Sequence, residues 1–138
     1  GRVGRIVHVR TELIERLLAA GIVPVISPIS RGVDGQPLNV NADDAAAAVA
    51  GALGAAELLF LTDVDGVHDG MGEREVLTLA EVAALVDSGI ARDGMMVKLD
   101  AAAAAIAAGV PSVRIGPPGI LDGTAVGTTL VQEAEAVA

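Results

Sequence analysis

The chain has no cysteine, no tryptophan and no tyrosine, and one phenylalanine, Phe60. Without cysteine, disulfides and thiolate-ligated zinc are excluded. No apolar run reaches the roughly 18 residues that a membrane span requires. No basic-then-apolar signal segment opens the sequence. A soluble, cytoplasmic protein is therefore expected. Lysine is almost absent as well. Lys and Arg total nine, and Lys98 is the only lysine among them. A compact ammonium is something arginine cannot copy, so Lys98 attracts attention on that count alone. The formal net charge of -9 argues against nucleic acid and anionic membranes as bulk partners. It leaves room for a local phosphate site, which needs only one or two cations.

What is present is small and apolar. Hydrophobic residues make up 52% of the 138, enough for one sizeable core. The whole chain, residues 1–138, reads as a single domain without internal repeat or long linker. Strand-like runs alternate with helical ones. Residues 5–9 predict a strand, followed by a helix from Glu12 to Ala20, capped by Thr11 and stopped by Gly21. Ile22-Val23-Pro24-Val25-Ile26-Ser27 has the continuous apolar character of a strand buried on both faces. Asp34-Gly35 signals a hairpin. Asn41 caps an alanine-rich helix that ends before Gly54. Residues 58–62 predict a second buried strand. Thr78-Leu79-Ala80-Glu81 is a capping box opening a helix to about Ser88. A further helix is expected from Met95 to Ala108, then strands at 112–115 and 127–131. The alternation implies an α/β fold with a largely parallel sheet and helices on both faces. The opening Gly1 runs straight into the first strand-like segment, which predicts a piece of a longer protein.

In open α/β sheets, ligands bind beyond the carboxyl ends of the strands. Three segments rich in Gly, Asp or Asn fall there: Asn39–Asp44, Asp63–Gly70 and Arg92–Lys98. Asn39, Asn41, Asp43 and Asp44 crowd around a helix start, which is either a solvated cap or part of an anion site. Lys98, expected in the first turn of its helix, is either a surface lysine or a cation beside bound phosphate. The run from Asp63 to Asp69 invites a calcium-loop reading. It fails, because His68 and Arg74 fall where an EF-hand needs Gly and Glu. No Gly-Lys-Ser/Thr occurs, so a Walker A loop is absent. His8 and His68 have no serine or cysteine motif near them, and a nucleophilic triad is unsupported.

Taken together, Asn39-Val40-Asn41-Ala42-Asp43, Leu61-Thr62-Asp63-Val64-Asp65-Gly66-Val67 and Asp93-Gly94-Met95-Met96-Val97-Lys98 resemble the amino-acid kinase family. Gly1-Arg2-Val3-Gly4 and Pro24-Val25-Ile26-Ser27-Pro28-Ile29 add to the likeness, which runs nearly the whole chain. It covers only the C-terminal, nucleotide-binding half of the family's fold. The resemblance implies transfer of the γ-phosphoryl group of ATP, bound with Mg2+, to the γ-carboxylate of N-acetyl-L-glutamate in arginine biosynthesis. It implies catalytic roles for Lys98, at the transferring phosphoryl group, and for Asp43, which would orient lysines. Asn39 would bind the acetylglutamate. Asp63, Val64, Asp65, Gly66, Val67, His68, Ile90, Ala91 and Arg92 would line the nucleotide site, with no resident metal. A homo-oligomer is implied for the full-length protein. The family's N-terminal acceptor-binding half brings a lysine-glycine-glycine strand end, a glycine-rich phosphate turn and a substrate arginine. None of these is in the 138 residues, so the isolated chain is expected to be inactive. Two alternatives stay open: a related kinase such as the aminoadipate-type kinase of lysine biosynthesis, or a non-catalytic nucleotide-binding module.

Overall fold

A computed structural model describes residues 2–91 and 93–133. Its centre is a four-stranded sheet built from β3 (Leu58–Leu61), β6 (Val76–Thr78), β7 (Ser112–Gly116) and β8 (Thr128–Val131), in the order β3-β7-β8-β6. β3 pairs parallel with β7, and β6 parallel with β8, while the central pair β7–β8 is antiparallel. The mixed α/β class and the parallel-rich sheet match expectation. Two small antiparallel ladders stand apart: β1 (Ile29–Arg31) with β2 (Pro37–Asn39), and β4 (Val67–His68) with β5 (Glu73–Arg74). The first is the hairpin signalled by Asp34-Gly35. Gly35 takes φ +78°, and Asp34 Oδ1 accepts from the Gln36 backbone N–H at 3.0 Å.

Three helices pack side by side against the sheet. α4 (Asp93–Ala107) contacts β7 and β8, with α2 (Ala42–Leu53) next to it near β3 and α3 (Leu79–Asp87) next to it near β6. Alanine makes this layer tight. A Cβ added at Gly51 of α2 would come within 2.7 Å of Ala108 Cβ, just past the end of α4. The core joins Phe60, Val113, Ile115 and Leu130 of the sheet to Ala47, Ala50, Leu99, Ala102 and Ala105 of the helices.

The caps explain where helices begin. Asn41 has extended backbone and accepts from the N–H groups of Asp43 (2.8 Å) and Asp44 (3.1 Å). Thr78 is also extended, and its capping box with Glu81 is complete. Thr11 precedes α1 (Glu12–Ala19), but its backbone is already helical and its hydroxyl makes no cap bond. That corrects the expected Thr11 cap: the side chain reaches the free N–H groups only from an extended backbone.

The N-terminal strands need correction too. Residues 5–9, His8 included, form no strand. Pairing stops at an isolated bridge between Val3 and Asn39. Residues 22–27 form none either, and Val25 is 97% exposed. The pattern is present, but a strand exists only through a ladder partner, and Pro24 removes one donor. An open apolar cavity of about 310 Å³ lies between residues 24–28 and the Leu58 end of β3, lined by α2. α4 starts at Asp93, two residues earlier than expected, which moves Lys98 from the first turn to the second.

Candidate active site

α2 and α4 start close together, and the first turn of α2 and the second turn of α4 supply the centre of the site. Lys98 Nζ donates to both carboxylate oxygens of Asp43, at 3.0 Å and 3.1 Å. Each side chain is 21% exposed, so the pair is half-sheltered and still reachable by a solute. The Asn41 cap fixes the turn that carries Asp43. Phe60, the next-to-last residue of β3, lies beneath the ammonium, 5.6 Å from Nζ to the ring centroid. An ammonium has three donors, and Asp43 occupies two. Among the described residues the third has no hydrogen-bond partner, so it can serve an anion. The two residues singled out at separate helix starts are thus in direct contact.

Beside this pair, β3 runs out into a second cavity. It is open, about 510 Å³, and lined by Asp63, Val64, Asp65, Gly66, His68, Glu73, Ile90, Ala91 and Met95. Met95 and Lys98 stand three residues apart on α4, which puts them on adjacent turns of one side of the helix. The cavity is therefore continuous with the elements that hold the ion pair. Its walls combine carboxylates with apolar surface from Val64, Ile90 and Met95, suited to a flat heterocycle with hydroxyl groups attached.

Most residues expected around a nucleotide come together here. Val67 differs: its side chain is 1% exposed and belongs to the core, leaving its backbone to the site. Arg92 lies outside the described residues. Asn39 ends β2 and is exposed, its backbone tied to Arg2 and Gly4 by bonds of 2.9 Å. It does not line this cavity.

Sequence reasoning missed the groups that hold the β4–β5 hairpin. Arg74 bonds to Asp69 at 3.2 Å and to Glu81 at 2.7 Å, linking the hairpin tip to the start of α3. Glu81 also accepts from the Thr78 backbone and hydroxyl. These bonds, backbone first and then Arg74, lower its pKa to about 2. Asp69 is held below its ordinary range by the Met71 backbone N–H and Arg74, partly opposed by desolvation. The signal for Arg74 was slight, a cation close behind an Asp-rich loop.

Residues 1–117 match the amino acid kinase family, and the chain belongs to it. The acetylglutamate kinase of Rubrobacter xylanophilus is 50% identical over 139 residues, covering 96% of this chain and 54% of that protein. The chain thus spans about half the length of the curated relatives it matches. Among solved structures, smu.665 from Streptococcus mutans superposes with a TM-score of 0.87 at 34% identity, over 96% of this chain and 52% of that one. N-acetylglutamate synthase from Neisseria gonorrhoeae, complexed with coenzyme A and L-arginine, also reaches 0.87, at 28% identity, over 97% of this chain and 33% of that one. Among the described residues, no helix is long and apolar enough to cross a membrane.

Proposed function

We propose that this chain forms the nucleotide-side half of a kinase that phosphorylates the γ-carboxylate of N-acetyl-L-glutamate, a step of arginine biosynthesis. The observation that carries this reading is the Lys98–Asp43 pair at two adjacent helix starts, next to an open cavity of nucleotide size. MgATP is the donor. Donor and acceptor are both anionic, so the protein must neutralise charge and align the reactants. Lys98 stabilises charge on the γ-phosphoryl oxygens as it transfers. Asp43 holds the ammonium where a phosphate can meet it. Asp63 to His68, with Ile90, Ala91 and Arg92, bind the nucleotide, and Asn39 contacts the acceptor. The Mg2+ arrives with ATP. The reading extends to a cytoplasmic homo-oligomer, and to an isolated chain of residues 1–138 that does not turn over. The high identity to acetylglutamate kinases favours N-acetyl-L-glutamate over an aminoadipate-type acceptor.

A second reading is a non-catalytic nucleotide-binding module. The likeness to a synthase favours it, since the same fold then serves another enzyme. The retained Lys98–Asp43 pair speaks against it, because binding alone does not require a phosphoryl-stabilising cation. Acyl phosphate trapped by hydroxylamine tests both. The full-length protein is expected to form hydroxamate only with MgATP and N-acetyl-L-glutamate together. Nucleotide binding without hydroxamate would favour the module.

A further inference from the structure

Among the described residues, Thr128 is the one buried polar side chain, with no exposure at all. Its hydroxyl donates to the Arg74 carbonyl at 2.5 Å and accepts from the Val67 backbone N–H at 2.7 Å. Val67 and Arg74 face each other across the β4–β5 hairpin. One hydroxyl at the start of β8 therefore closes a cross-strand pair belonging to a separate ladder. The next pair along, His68 and Glu73, lines the 510 Å³ cavity. The hairpin also borders a further cavity of about 400 Å³, lined by Asp65, Glu75, Val126 and Thr128 among others. The hairpin borders both open spaces; Arg74 ties its tip to α3 through Asp69 and Glu81, and at its base the buried Val67 and the Thr128 hydroxyl set its position. At its base Gly66 leaves no slack: a Cβ there would sit 2.7 Å from Thr128 Oγ1.

We propose that Thr128 is a positioning residue for the nucleotide, its hydroxyl fixing the β4–β5 hairpin as one wall of the nucleotide cavity. This rests on the reading of that cavity as the MgATP site. Valine has the same shape without the hydroxyl, so Thr128→Val leaves the Val67 N–H and the Arg74 carbonyl without that partner. The wall then loses its anchor while the Lys98–Asp43 pair is untouched. Serine keeps the hydroxyl.

The test is steady-state kinetics on the full-length protein, varying MgATP and N-acetyl-L-glutamate separately. Thr128→Val is expected to raise KM for MgATP about tenfold, with kcat and the acceptor KM within about twofold. Thr128→Ser is expected to stay near the unaltered protein. An unchanged KM for MgATP, equal loss on both substrates, or failure of serine to rescue would overturn the proposal. If Thr128→Val does not fold, Thr128→Ala removes the same hydroxyl with less bulk and takes its place. It should produce the same selective rise, and an unchanged KM for MgATP there overturns the proposal. Equilibrium binding of MgATP separates the two levels. If the unaltered protein binds none, the nucleotide reading and this inference fall together. If it binds and Thr128→Val binds equally well, only the inference falls.

Discussion

Residues 2–39 and residues 42–131 are both apolar in sequence, yet they fare differently. In the later region every long element buries something, and Leu77, Leu99, Ile115 and Leu130 are wholly enclosed. In the earlier region α1 buries no residue, and Val7, Leu13, Val23 and Val25 are largely exposed. Apolar content alone does not separate the two, but alanine does: within 2–39 only Ala19 and Ala20 occur, and the alanine runs lie in the later region. The later region supplies its own partners: parallel strands, a helical layer of small residues, and caps that satisfy the helix starts. The earlier region has the periodicity of structure without surfaces to match it. Apolar pattern alone therefore predicts what a segment can bury, and packing decides whether it does.

The largest effect that would sharpen this contrast is chemical. Lys98→Ala is expected to lower kcat of the full-length protein by at least about 100-fold while the chain stays folded, as loss of a charge-stabilising donor does. Lys98→Arg should also be poor, because a planar fork does not occupy the place of an ammonium. Near-normal turnover in Lys98→Ala would return Lys98 to the surface. Next comes the core. Leu99→Ala should cost about 2–5 kcal/mol in chemical denaturation. Val25→Ala should stay within about 0.5 kcal/mol, as exposed substitutions do. Equal costs would erase the distinction between the regions. The caps give a smaller version of the same test. Thr78→Ala should cost about 1 kcal/mol, and Thr11→Ala much less, because only Thr78 makes the cap bond.

The smallest effect concerns acid. Glu81 has its folded pKa lowered from 4.5 to about 2. Its contribution is therefore full above pH 4.5 and fades as pH falls toward about 2. It is screened at this exposed position, so the shift should be modest. Glu81→Gln should reduce stability near neutral pH and flatten its loss over that acid range, measured by thermal midpoints. An unchanged acid profile would remove the Arg74–Glu81 link from the stability of the hairpin.

Much of the later region was legible in advance. Asn41 and Thr78 announce their helices because capping is local, a side chain bonding N–H groups two or three residues on. Residues 58–62 read as a strand, and one forms over Leu58–Leu61, since a short apolar run bounded by turns has few other uses. The strands expected at 5–9 and 22–27 failed because pairing belongs to two segments at once, and neither segment's own residues report the partner. The same difference runs through the site. Asp43, Lys98 and the Asp63–His68 stretch were visible as polar clusters at element ends. Thr128 was not, because Gly127-Thr128-Thr129 looks like the start of any strand. Its two partners lie 54 and 61 residues away. Val67 sits inside a legible segment but alternates inward, which only the hairpin register reveals.

The central claim is that the packed region carries the nucleotide site while the exposed N-terminal stretch does not. Hydrogen–deuterium exchange of the full-length protein, with and without MgATP, tests it most directly. The account predicts slower exchange at the amides of residues 63–68 and 90–91 when MgATP is present, with residues 22–27 unchanged. MgATP-dependent protection confined to residues 22–27, or none at 63–68, would contradict it.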